Sequence, residues 1–455
     1  MRKWSFKYSL LTLGALFLAS QEEAKAADAT YLYGLKESAP IEEIIETLEE
    51  KSLDYNFIEE IRMLSIDGAS SRLVLDEYGS SVEWSGPERE IEFTAEEFKA
   101  ETVMAPMTLR AQTASGYDAW RWDINRVTND GAAHGIEKGN HTVKVAVVDS
   151  GIDFDHPDLA SNIVGVGKSF VPGVETTQDY LGHGTMVAGV IASNGNLKGV
   201  APEVGLVPYK VFHTDAADSM WVVEAIVEAA KDDMDVINLS LGTYKSLKKK
   251  EDQAVIEAYR RAVKFATKEG SMVIASAGTD GYDMTKPDAL AEQLGEPGDV
   301  QIHLPGGGVP EVVTVSATNK SDQLAFYSNF GTQVNIAAPA GDYGEDYETL
   351  GQIKLDAMTI TTHPLNIPQS LLSQYAGFEH GYEFMIGTSL AAPKVSAVAA
   401  LIIAEYQEKH RKKPTVNEVK KYLYEGASKV GAPAHEVGAG IVNAYGSLKA
   451  IKGAK

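Results

Sequence analysis

The sequence predicts an α/β protein, a doubly wound parallel sheet covered on both faces and preceded by a small α+β unit. Three observations carry that prediction. Beyond residue 119, short apolar runs alternate with stretches of helical period, the pattern of parallel strands joined by crossover helices. Runs such as Val145-Ala-Val-Val148 are apolar at every position, as in strands buried on both faces. The N-terminal part differs in composition: residues 28–110 hold twenty Asp and Glu against seven Lys and Arg, over half of the formal net charge of −23.

The elements follow in chain order. Arg2, Lys3 and Lys7 precede an apolar run from Tyr8 to Ala19, and Ala24-Lys-Ala26 offers small residues for signal peptidase. Residues 1–26 therefore read as a signal peptide, the apolar run being short for a membrane span. Thr30 to Leu35 reads as a strand, and Pro40 suits the first turn of a helix in which Ile41, Ile44, Ile45 and Leu48 share one face. Arg72 to Leu75 and Ile91 to Phe93 are further strand candidates, so residues 27–101 form an acidic α+β unit. From Glu96 to about Tyr117 periodicity fades, and 102–118 read as a linker. In 119–455 strands are expected at 143–148, 206–212, 235–240, 271–277 and 311–317, and helices at 219–231, 251–269, 389–408 and 415–425. The stretches 279–310 and 340–385 break the alternation and read as long irregular loops, functional or mobile.

Three motifs carry chemistry. Asp149 closes the strand at Val145–Val148, where open α/β sheets place their sites. His183, in Gly182-His-Gly-Thr, and Ser389, in Gly387-Thr-Ser-Leu-Ala-Ala-Pro393, each open a helix-like run between small residues. Singly, these are common cap, structural and helix-start residues. Together they supply an acid to orient an imidazole, an imidazole to take a proton, and a hydroxyl to attack a carbonyl.

With that order and those flanks the chain resembles subtilisin-type serine proteases over roughly residues 117–447. Further resemblances are Trp120-Arg-Trp-Asp-Ile-Asn125, Asn194 to Pro202, Val236 to Gly242 and Gly438 to Ala444. Ser219-Met-Trp-Val-Val223 and Asp232 to Asn238 look most like the peptidases that remove leader peptides from lantibiotics. The resemblance implies Asp149, His183 and Ser389 as catalytic residues, with the Ser389 N–H in the oxyanion hole. It implies that the edge Ser240-Leu241-Gly242 pairs with an extended peptide substrate. It implies that the acidic unit is a propeptide, cut off by the enzyme itself.

Three positions depart from the family pattern or tune it. The family's oxyanion Asn is replaced in Ser276-Ala-Gly-Thr279-Asp280, leaving Thr279 with a shorter hydroxyl donor. His303, in Gln301-Ile-His-Leu-Pro305, falls at the floor of the pocket for the residue before the cut. There it suits Glu, tolerates Gln and rejects Arg, the alternative being a histidine packed under a loop. Self-cleavage is then expected after Glu101, with Glu96 and Glu97 as alternatives. Asp158 resembles a ligand of a structural calcium. The interval between His183 and Pro202 is short for the loop that completes that site, and a capping role is the alternative.

Composition excludes several classes. The acidic balance argues against nucleic-acid binding, and the absence of cysteine rules out a disulfide framework or a thiol protease. The expected protein is a secreted serine endopeptidase, without a membrane anchor in its mature form, acting on a lanthipeptide precursor. A broadly degradative enzyme and a catalytically silent binding protein stay open as alternatives.

Overall fold

The computed structural model describes residues 30–66, 76–88, 90–92 and 117–453. The signal peptide, Arg72–Leu75, Phe93, and Glu96, Glu97 and Glu101 lie outside the described residues. Two compact units are present, one built on residues 30–88 with 249–258, the other on 90–248 with 259–453.

The small unit has strands β1 (Tyr31–Leu35), β2 (Tyr55–Ile58), β3 (Met63–Ile66) and β4 (Val82–Pro87) in the order β2-β3-β1-β4. The three pairings are antiparallel. The helix Ile41–Glu50 forms as its spacing predicts, burying Ile44 and Leu48 in a core with Tyr33, Leu35, Leu64 and Ile66. One expectation changes. The strand expected at Ile91–Phe93 appears as β5 (Glu90–Glu92), but it belongs to the larger unit. It pairs antiparallel with β9 (Ala216–Asp218), and Ile91 is fully buried there.

The larger unit is built on a seven-stranded parallel sheet. Its strands are β6 (Lys144–Asp149), β7 (Lys168–Ser169), β8 (Gly205–Lys210), β10 (Val236–Leu239), β12 (Met272–Ser276), β14 (Val313–Thr318) and β15 (Ile336–Pro339). Their order is β15-β14-β12-β10-β6-β8-β7. The chain leaves β6 first toward β8 and later toward β10, so the carboxyl ends of β6 and β10 flank the point where strand order reverses. Two expected loops contain ordered elements. In 279–310 lie the helix Pro287–Gln293 and β13 (Gln301–Leu304), which pairs with β11 (Thr243–Ser246). In 340–385 the hairpin β16 (Thr359–Thr362) and β17 (Tyr382–Met385) forms. Strand β15 was missed because Ile-Ala-Ala-Pro has little β propensity; pairing with β14 supplies what propensity does not.

The helix Thr388–His410 is long and apolar enough to cross a membrane, yet its apolar window is wholly buried in the protein. It packs against β10, β12 and β14 and against the helix His183–Ala192. A helix apolar on every face belongs in a core, and this one holds Ser389 in its first turn. Its one buried cation, Lys394, is fully enclosed and pairs at 2.8 Å with Asp123 on the helix Trp122–Thr128. Removing one member of such a pair strands the other charge. Asp123→Ala should therefore destabilise the protein by about 3–5 kcal/mol. Adding Lys394→Met should recover most of that loss. Urea denaturation of each variant reads both.

Candidate active site

Asp149 ends β6 fully buried, and its carboxylate is held on several sides. Oδ1 accepts the Ser150 N–H at 2.7 Å, and both oxygens lie 2.9 Å from Nδ1 of His183, whose N–H donates to them. His183 opens the helix His183–Ala192. Gly184 has to be glycine, because a Cβ there would run into the Gly151 carbonyl. Helix and strand end therefore approach to backbone contact, which sets the short Asp149–His183 distance.

Behind this pair lies Asp179, fully buried, which the sequence analysis did not single out. It accepts from the N–H groups of Leu181, Gly182 and Thr185, each at 2.9 Å, and from the hydroxyls of Thr185 and Ser150. Asp179 lies three residues before the N-cap Gly182, outside the position where a capping acid is read, so no sequence signal pointed to it. Lys210, opposite Asp149 on β8, is also fully buried and donates to the Ser150 carbonyl. Burial pushes its pKa down while Asp179 and Asp149 pull it up. For His183, burial disfavours the imidazolium, but the charge and hydrogen bond of Asp149 outweigh it, with help from Asp179. The net pKa is raised above the ordinary histidine value.

Ser389 enters from the hairpin β16–β17. Thr361 and Thr362 on β16 donate to the carbonyls of Met186 and Thr185, tying the hairpin to the His183 helix. The chain then runs through Gly387, at φ +139°, into the catalytic-type serine. Ser389 Oγ is buried and makes no hydrogen bond. Its carbonyl accepts the Ser240 hydroxyl at 2.7 Å, and Ser240 accepts from Asn238, which accepts from Ser396. Ser240 thus anchors the serine helix to the end of β10 with its side chain, while Leu241 is buried beside it.

Thr279 is buried beside Thr388, their hydroxyl oxygens 3.0 Å apart. His303 is 1% exposed, and its ring lies against Gly242 and Gly278, where a Cβ at either position would press on Nε2. Its Nδ1–H donates to the Gly306 carbonyl at 2.6 Å, which leaves Nε2 as the variable atom; Nε2 is buried without a hydrogen-bond partner. Burial lowers its pKa, only partly offset by Gly306 and Asp280. The Tyr244 ring lies tilted against it, the centroids 5.1 Å apart, and its hydroxyl donates to Asp280.

Asp158 does not fit a calcium ligand. Its carboxylate accepts the N–H groups of Asn196 and Leu197, at 2.9 and 2.7 Å, and the Tyr382 hydroxyl at 3.0 Å. These are donors, whereas calcium requires surrounding oxygens as ligands. Asp158 ties down the loop after the His183 helix, the capping alternative.

An acid–imidazole pair at a sheet's switch point and a serine in a neighbouring helix's first turn define a serine hydrolase of α/β architecture. The chain belongs to the subtilase family, whose model matches residues 140–440. It is a subtilisin-like serine protease. It is 34% identical to the epidermin leader peptide-processing serine protease EpiP of Staphylococcus epidermidis over 66% of this chain and 68% of that protein. It is 30% identical to the nisin leader peptide-processing serine protease NisP of Lactococcus lactis subsp. lactis, over 68% of this chain; it spans about half of that relative (47%). The crystal structure of EpiP from Staphylococcus aureus superposes with a TM-score of 0.75 at 28% identity, covering 94% of this chain and 99% of that one.

With His183 as the general base, its raised pKa would set the acidic limb of activity. A neutral imidazole is needed as base, so kcat/KM should rise with pH through a midpoint above 6.5, the ordinary value. Asp149→Asn removes the group that raises it. The midpoint should then fall, and turnover should drop by about 10⁴-fold. A pH profile of peptide hydrolysis by both forms tests this; an unmoved midpoint would contradict the assignment of Asp149.

Proposed function

We propose that this protein is a secreted endopeptidase that removes the leader peptide from a lanthipeptide precursor, cutting after Glu, and that it matures by cutting off its own propeptide. In this reading Asp149 orients His183, His183 takes the Ser389 proton, and Ser389 attacks the scissile carbonyl. The Ser389 N–H and the Thr279 hydroxyl receive the developing oxyanion. The names of EpiP and NisP support the substrate class. The N-terminal charged and apolar pattern supports secretion.

The observation that carries the specificity is the buried, unpartnered Nε2 of His303 between Gly242 and Gly278. Because Nδ1–H is committed to Gly306, Nε2 accepts a hydrogen bond in the neutral ring and donates one only when protonated. A neutral ring therefore suits the amide N–H of Gln. A Glu carboxylate is bound when His303 carries a proton, and its negative charge helps to hold that proton there. Arg offers the pocket a cation where Nε2 gives no anionic partner.

Peptides differing only in Glu, Gln or Arg before the cut, assayed from pH 5 to 8, test the pocket. The ratio of Glu to Gln cleavage should rise as pH falls, since the unliganded ring has a pKa below 6.5. Arg cut fastest at any pH would sink the assignment of His303. Separately, a lanthipeptide precursor and casein offered to the purified enzyme should give one cut in the precursor and little digestion of casein. Broad casein digestion would instead favour a degradative enzyme. The Ser389→Ala protein should keep its propeptide and cut neither; loss of the propeptide from that variant in a protease-free system would rule out self-maturation.

A further inference from the structure

We propose that Tyr327 is a positioning residue for Ser389, its hydroxyl holding the Gly387 N–H and so fixing the strained turn from which the serine projects. The proposal rests on the reading of Ser389 as the nucleophile and adds the group that places it.

Ser389 Oγ makes no hydrogen bond, so its place is set by the backbone on either side of it. On the C-terminal side the Ser389 carbonyl is held by Ser240, and the helix Thr388–His410 is packed all round. The N-terminal side is a turn through Gly387, at φ +139° and ψ 152°, a region open in practice to glycine alone. A Cβ at Gly387 would come within 3.1 Å of Ser389 Oγ, so this residue also borders the space that the hydroxyl occupies. A backbone in so sparsely populated a conformation persists only where its surroundings hold it. The hold on the Gly387 N–H is Tyr327 Oη, at 3.0 Å.

Tyr327 can serve as an anchor because it is itself anchored. Its hydroxyl donates to the Gly341 carbonyl at 2.7 Å, with the Ala340 carbonyl at 3.3 Å, both just beyond the end of β15. A carbonyl only accepts and an amide N–H only donates. The Tyr327 proton is therefore committed to the β15 side, and a lone pair faces Gly387. A hydroxyl that donates is also polarised into a better acceptor. Gly341 in turn gives its N–H to the Thr318 carbonyl, at the end of β14. A line of hydrogen bonds thus runs from the parallel sheet through Gly341 and Tyr327 to Gly387, two residues before Ser389. The Tyr327 ring is buried in the main core, with Phe326 edge-on at 5.4 Å, so the hydroxyl has little room to shift. A phenylalanine would fill the same space and leave the Gly387 N–H without this acceptor.

Deleting the hydroxyl in the full-length protein tests the arrangement, with a peptide that wild type cuts and active enzyme counted by fluorophosphonate titration. Tyr327→Phe should lower kcat by about tenfold, the worth of one buried hydrogen bond, with KM little changed. A misplaced nucleophile slows attack without weakening the grip on the peptide. The rate at which a fluorophosphonate labels Ser389 should fall by the same factor, because that step needs the serine in place and no peptide contacts. Labelling counts folded molecules only, so it reads the effect even where Tyr327→Phe folds in poor yield. Phe326→Leu loosens the packing of the ring and keeps the hydroxyl; it should lower the urea midpoint at nearly wild-type kcat. Equal losses of kcat in Tyr327→Phe and Phe326→Leu would mean general loosening and would overturn the positioning role. An unchanged kcat and labelling rate in Tyr327→Phe would overturn it too, leaving Ser389 as nucleophile intact. Wild type that is never labelled at Ser389 would instead sink the nucleophile reading and this role with it.

Discussion

Burying the Asp149 charge is the constraint on which the rest of the site depends. A carboxylate taken fully out of water costs several kcal/mol unless partners replace its hydration. Here the hydrogen bonds come from the Ser150 N–H at the strand end and the His183 ring on a helix, while Lys210, opposite Asp149 on the neighbouring strand, donates to the Ser150 carbonyl. Each has to arrive at the right place before the charge is tolerable. The same enclosure keeps water from weakening the Asp149–His183 interaction, and that interaction raises the basicity of the ring. Asp179 extends the arrangement by capping the helix that carries His183 and by holding Ser150 in place.

Close backbone approach makes this geometry attainable. Gly184 lets the His183 helix touch the loop after β6, and Gly189 lets the same helix lie against Thr362 of the hairpin. The serine helix is rich in alanine and is gripped from β10 through Asn238, Ser240 and Ser396. Small residues here do not merely fill space; they let polar groups on different elements come within hydrogen-bonding distance. A helix packed on all sides has one preferred position, so Ser389 is held rigidly although nothing hydrogen-bonds its hydroxyl.

The surroundings of His303 show how a fold can leave one ring nitrogen without a partner. Gly242 and Gly278 lie against the ring, where a Cβ would press on Nε2. Nε2 of His303 is that atom, and a buried polar group left without a hydrogen bond is costly. The hydrogen bond to Gly306 decides which ring nitrogen plays that part. Asp280 and Tyr244, the titratable groups nearest to it, are engaged with one another.

Local sequence determined a great deal. Apolar runs of strand length alternating with helical periods defined the parallel sheet, since a strand buried on both faces must be apolar at every position. The Asp149, His183 and Ser389 motifs were legible because each needs small flanking residues for backbone approach. Ile41, Ile44, Ile45 and Leu48 placed the helix of the small unit for the same kind of reason. Tertiary structure decided what depends on long-range partners. Asp179 and Lys210 look like ordinary surface charges in the sequence, and only the fold buries them against Asp149. Strand β15 has weak propensity and exists through its pairing with β14. Asp158 resembles a metal ligand in its motif, but backbone N–H groups from residues 196 and 197 claim its oxygens. Only the fold sets the Thr388 hydroxyl beside that of Thr279. A hydrogen bond between residues more than a hundred positions apart leaves no periodicity or spacing in the chain, which is why sequence could single out Thr279 and not the residue beside it.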